Sequence, residues 1–223
     1  LSDFDVVRHP RARRAKLSVD PATGRVRLTL PPRAALRPAL AWAESQRGWI
    51  AAQCARLPEG RPFAPGTGLM VAGVDLTLVW RADAPRTPRV EGTSLLCGGD
   101  REGFEARIGR WLRRQALALL SAETAEFAAK AGVPVSRVAI GDPKARWGSC
   151  SSGGVIRYSW RLILAPDHVR RATVAHEVAH RLHMDHSPAF HAAVARIYGA
   201  DPSPSRAWLR ANGAALHWFG RDS

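Results

Sequence analysis

The stretch from Pro166 to Pro188 leaves this chain little freedom in how it folds. Pro166-Asp167 reads as a helix start with Asp167 as N-cap, and Val174, Val178 and Leu182 recur at four-residue spacing, a stripe that must bury against a core. His176, His180 and His183 fall on roughly the opposite side, together with the small Ala172 and Ala179. One helix therefore has to lie with an apolar face inward and a row of imidazoles over open space. Met184-Asp185-His186-Ser187-Pro188 then reads as a helix end and a new start, with Ser187 as N-cap and Pro188 at the first helical position.

Within that helix, His176-Glu177-Val178-Ala179-His180 puts two histidines where both reach one metal ion, with a glutamate beside it to serve as base for a water nucleophile. Catalytic zinc usually takes three protein ligands. No glutamate follows Glu177, so a downstream glutamate ligand is excluded; His183 occupies the glycine position of the three-histidine pattern with a methionine turn, and no methionine lies beyond Met184. His183, Asp185, His186 and His191 remain. His183 is two turns from His176, about 10 Å along a helix axis, too far for one ion. His186, just before the Ser187 cap, is the expected third ligand. His183 and His191 are expected around the site or at the surface.

Upstream, Arg146-Trp147-Gly148-Ser149-Cys150-Ser151-Ser152 runs through Gly153-Gly154 into Val155 to Leu162, read as strand, turn and strand. With Trp160-Arg161-Leu162, the H-E-x-x-H helix and His186-Ser187-Pro188-Ala189-Phe190, this chain resembles the YgjP-type metallopeptidases, relatives of the SprT-like proteases. The resemblance is strong over about residues 101–200 and looser over 1–100. Ser159 stands where the family is expected to carry Asn, and His191 where an aromatic is usual. The resemblance implies a zincin-like metallopeptidase domain.

The chain starts polar and holds no long apolar run, so neither a signal peptide nor a membrane span is expected. Cys54, Cys97 and Cys150 are odd in number and far apart, which argues against a disulfide framework and for a reducing, cytoplasmic setting. The net charge is +14. The only lysines are Lys16, Lys130 and Lys144, so thirty of the thirty-three basic residues are arginine. Arg8, Arg11, Arg13, Arg14 and Lys16 form the densest cluster, with Arg113-Arg114 and Arg170-Arg171 behind it. A solvated basic surface is the plainer reading of these clusters and a nucleic-acid partner the sharper one.

The overall expectation is α+β: a β-rich basic N-terminal region over 1–100 and a metallopeptidase domain over 101–223 with the H-E-x-x-H helix packed on a small sheet. A hairpin is predicted from Lys16 to Leu30, one amphipathic helix from Leu40 to Leu57, a linker from Pro58 to Gly68, and paired strands at Val71–Trp80 and Arg89–Cys97. A long helix follows Asp100 as N-cap and ends near Gly132; the last helices run from Pro188 to Tyr198 and from about Ser205 to Leu216.

The function expected is hydrolysis of protein or peptide substrates, with one Zn²⁺ per chain held by His176, His180 and His186, and Glu177 as general base. Tyr158, His183 and Tyr198 are candidates to stabilise the oxyanion. The strand from Val155 to Leu164 is expected to offer a backbone edge to an extended peptide. Two other readings fit the same residues: a metal-containing nucleic-acid-binding protein without hydrolytic activity, and a hydrolase of a non-peptide amide. Histidine ligands also suit nickel, copper and iron.

Overall fold

Short runs of alternating apolar residues give three small sheets rather than one large one. The computed structural model describes residues 4–221, which form ten strands, six α-helices and one 3-10 helix. The chain divides into two compact units at Glu59/Gly60, inside the Pro- and Gly-rich segment that reads as a linker.

In the first unit, β1 (Phe4–Arg8), β2 (Lys16–Val19) and β3 (Val26–Leu30) make a sheet of order β1-β3-β2. The predicted hairpin is present: β2 and β3 pair antiparallel, and the turn is held by Asp20 Oδ1, which accepts from Ala22 N at 2.8 Å. Helices α1 (Leu36–Ser45) and α2 (Arg47–Cys54) replace the single helix expected there. The chain leaves helical geometry at Gln46 (φ −94°, ψ 12°), and Gly48 just beyond weakens continuity. Phe4, Leu28, Leu30, Ala39 and Ala43 are the buried core. Arg8 donates to the carbonyls of Pro31, Pro32 and Ala34, so the first arginine of the basic cluster braces the fold.

The second unit opens with β4 (Gly68–Val71), β5 (Val74–Trp80), β6 (Arg89–Glu91) and β7 (Ser94–Cys97), ordered β4-β5-β7-β6. The β4–β5 hairpin turns on Ala72 and Gly73, both at positive φ (51° and 81°), as a two-residue type I′ turn requires. The Arg89–Cys97 run is itself a hairpin, β6–β7, and β5 pairs parallel with β7. Helix α3 (Phe104–Ala131) stops at Gly132 in the left-handed conformation (φ 67°). Its N-cap is Gly103 rather than Asp100; Asp100 Oδ2 accepts from Gly103 N at 2.8 Å. Leu78 and Leu95 from the sheet share one core with Ile108, Leu112, Leu120 and Phe127. The change from strand-rich to helix-rich sequence near residue 100 thus falls inside this unit.

A third sheet, β8 (Arg137–Gly141), β9 (Gly148–Cys150) and β10 (Val155–Ser159), has the order β8-β10-β9. This corrects the expected substrate edge. β10 is central, paired on both sides, and the chain beyond it, Trp160–Leu164, is a 3-10 helix rather than more strand. Ser159 is fully buried and its Oγ caps that helix by accepting from Arg161 N at 3.4 Å. The edge strands of this sheet are β8 and β9. Helices α4 (Asp167–Ala179), α5 (Pro188–Tyr198) and α6 (Ser203–Leu216) complete the unit.

Candidate metal centre

Helix α4 is anchored before it presents anything. Val169, Val174 and Val178 are fully buried. Arg170, also buried, donates from Nη2 to Glu123 Oε1 on α3 at 2.9 Å and from Nη1 to Asp167 Oδ1 at 2.7 Å. Asp167 is therefore the first residue of the helix and the partner of Arg170, while Pro166 holds the N-cap position without a side-chain bond. The helix ends at Ala179, one turn earlier than the Val174–Val178–Leu182 stripe implies, and Leu182 is exposed. That early end frees residues 180–186 to fold back.

The fold-back brings His186 to His176 and His180. Their ligating nitrogens all lie within 4.8 Å of one another, and Nε2 of His186 is 3.4 Å from Nε2 of His176. His180 Nδ1 lies 3.1 Å from the His183 carbonyl; with the proton on Nδ1, that bond fixes the tautomer and leaves Nε2 for the shared centre. Burial, followed by the neighbouring His180 and His186, drives His176 down to about 4. Burial also lowers His180, against the pull of the His183 carbonyl. Both are therefore neutral near pH 7, the form that ligates. Three convergent imidazoles, one with its outer nitrogen already held, fit a zinc-type ion.

Phe190, fully buried on α5, packs against all three rings: stacked on His180 with centroids 4.5 Å apart, and edge-on to His176 at 4.9 Å and His186 at 4.8 Å. Ser187 caps α5, as expected, by accepting from Phe190 N. The cap that ends the fold-back thus also seats the ring behind the histidines.

Glu177 points to β9. A Cβ on Gly148 would lie 2.6 Å from Glu177 Cγ, so only glycine lets the carboxylate pack there. Burial raises that carboxyl to about 7, with Arg146 opposing; among the described residues no hydrogen-bond donor reaches it. A cavity of about 250 Å³ opens beside His176 and Glu177, walled by Trp147, Ala172, Val194 and Leu209, with Arg146 and Arg206 among its lining. Trp147 is itself held by stacking on His217 at 5.1 Å and by Gly213, whose Cβ would come within 2.8 Å of the indole.

The other candidates lie elsewhere. Tyr158 is fully buried, with its hydroxyl 2.9 Å from Thr124 Oγ1, and cannot meet a substrate. Tyr198 donates to the His168 carbonyl. Asp185 Oδ1 accepts from Ser187 N, and the ring of His191, which is exposed, stands 6.4 Å from that of His186. Burial first raises the Cys150 thiol, which keeps it an unreactive packing residue. Phe190, Trp147, Gly148, Arg146 and Arg206 had no assigned role in the sequence reading. For Arg146 to Gly148 the available signal was their run into the strand pair before the histidine helix.

A histidine triad on a helix and its fold-back, with a buried carboxylate facing a cavity, defines a centre able to hold a metal ion for hydrolytic chemistry. The model of the YgjP-like metallopeptidase domain family matches residues 13–212, and the chain belongs to that family. Among curated proteins none matches. A crystal structure of the metallopeptidase zymogen abylysin from Pyrococcus abyssi is similar to part of the chain at 16% identity and a TM-score of 0.37, covering 41% of this chain and 93% of that one.

Proposed function

We propose that this chain is a zinc-dependent peptidase in which His176, His180 and His186 hold one Zn²⁺ and Glu177 is the general base. The observation that carries this reading is the approach of the three ring nitrogens within 4.8 Å, next to a glutamate whose carboxyl is raised to about 7 by burial. Bound zinc supplies a Lewis acid that polarises the scissile carbonyl and eases deprotonation of water. Glu177 takes the proton from the attacking water as its oxygen bonds to the carbonyl carbon. It then delivers that proton to the amine as the C–N bond breaks. A purely structural site would gain nothing from a buried carboxylate held against Gly148, which favours the enzyme over a metal-containing binding protein.

The substrate is a protein or peptide. The apolar walls of the cavity suit a side chain next to the scissile bond, and Arg146 and Arg206 are placed to meet carbonyl or carboxylate oxygens. The edge of β9 takes over the role first given to β10, pairing with an extended backbone. The zincin-like packing of α4 against the β8-β10-β9 sheet belongs to the same reading. No helix among the described residues is long and apolar enough to cross a membrane; with three free cysteines, we assign the protein to the cytoplasm. The test is metal dependence: a chelator should abolish peptide cleavage, and one equivalent of Zn²⁺ should restore it to the parent but not to His186→Ala. Cleavage that survives complete metal removal would overturn the reading.

A further inference from the structure

We propose that the second unit carries a phosphate-binding notch, separate from the metal centre, formed by Arg86, Arg110 and Arg114. A cavity of about 320 Å³ is lined by Arg86, Thr87, Pro88, Arg107, Arg110 and Arg114, with no acidic residue among them. It shares no residue with the cavity at the histidines.

Several arginines of the basic clusters have partners within the fold. Arg8 braces backbone carbonyls, Arg113 lies over the Trp160 ring at 4.9 Å, Arg170 pairs with Glu123 and Arg171 with Glu126. Arg110 and Arg114 differ. Both are exposed on α3, one turn apart, and at three and four residues to either side neither has an acidic neighbour. Like charges at that spacing destabilise a helix, and Arg107 adds a third cation to the same face. An anion seated among them removes that repulsion.

The wall opposite α3 is tied to Asp100 and to β7. Asp100 Oδ1 accepts from Arg86 Nη2 at 2.8 Å and from Arg107 Nη1 at 3.1 Å, and Arg107 is buried. One carboxylate therefore orients two guanidiniums and leaves the group of four with a net charge of three. The Arg86 loop is pressed onto β7: Gly98 N donates to Pro85 O at 2.8 Å, Cys97 Sγ to Arg86 O at 3.3 Å. A Cβ on Gly99, at φ 86°, would come within 2.9 Å of Arg86 Cγ. The guanidiniums of Arg86, Arg110 and Arg114 have N–H groups to offer a tetrahedral oxyanion, and the Thr87 hydroxyl adds a neutral donor.

The phosphate comes either from a nucleic-acid strand or from a small phosphorylated molecule. The experiment compares the parent with Arg110→Gln/Arg114→Gln, two exposed changes, after circular dichroism shows both folded. Two probes are used: a 20-nucleotide single strand, read by fluorescence anisotropy across a salt series, and inorganic phosphate, read by thermal shift against chloride at equal ionic strength. If the strand is the source, the double variant binds it at least about tenfold more weakly, and the slope of log K against log salt falls by about 1.4, the value for two lost phosphate contacts. If a small molecule is the source, phosphate raises the melting temperature of the parent and not of the variant, and the strand binds both alike. Equal behaviour of parent and variant with both probes overturns the proposal.

Discussion

The buried ring of Phe190 stacks on the imidazole of His180, centroids 4.5 Å apart and planes inclined by 29°. The same ring also meets His176 and His186, so one side chain from α5 touches all three histidines. Phe190→Ala should destabilise the protein by about 3–5 kcal/mol, read from denaturant unfolding. Zinc affinity, measured by chelator competition, should fall by about 10–100-fold. Phe190→Leu should retain most of the stability and lose less affinity. Unchanged affinity in Phe190→Ala would mean the ring does not organise the centre.

Gly148 and Glu177 give a second test. An added methyl meets Glu177 Cγ at 2.6 Å, and α4 is anchored by the buried Val169, Val174 and Val178, so the carboxylate has to move. Gly148→Ala should lower kcat/KM by roughly 100-fold, the scale of a misplaced catalytic group. Zinc stoichiometry should remain at one. Full activity in this variant would show that the contact does not set the position of the base.

A third concerns the buried Arg161, which donates to both oxygens of Asp142 and to the carbonyls of Leu216 and Phe219. Burial alone would raise Asp142, but the bonds from Arg161 and Lys144 outweigh it and hold the carboxyl at about 2. Its folded value lies below the unfolded one, so the stabilisation is complete above about pH 4 and is lost as pH falls toward 2. Asp142→Asn should cost about 2–3 kcal/mol at pH 7, discounted from the usual cost of breaking a buried pair because Asp142 is partly exposed. Unfolding curves of parent and variant should converge as pH drops from 4 to 2. A gap that stays constant over that range would contradict this role.

The local elements were the legible part of this chain. Gly132 after the α3 pattern, Ser187-Pro188 at the start of α5 and the Asp20–Gly24 turn each carry a steric or hydrogen-bonding instruction readable residue by residue. So does the histidine helix, since the spacing of His176 and His180 along a helix is local geometry. The misreadings have tertiary causes. β10 is indistinguishable in sequence from an edge strand, because its two partners come from segments before it, one parallel and one antiparallel. Trp160–Leu164 has the composition of a strand but turns into a 3-10 helix once Ser159 caps it. Leu182 continues a four-residue pattern past a helix end set by the fold-back, and Tyr158 could not be known to face Thr124 on α3. The role of Phe190 was hidden for the same reason: its position among the histidines depends on how α5 packs on α4.

The central claim is that Glu177 handles the proton in a metal-dependent peptide cleavage. Its most direct test is digestion of a diverse unfolded peptide library by zinc-loaded parent and Glu177→Gln, read by mass spectrometry with bound zinc quantified in both. The account predicts one zinc per chain in each protein, cuts by the parent, and a loss of at least about 1,000-fold in the variant, near the middle of the range for general acid–base catalysis. Equal cleavage by the two proteins would contradict it.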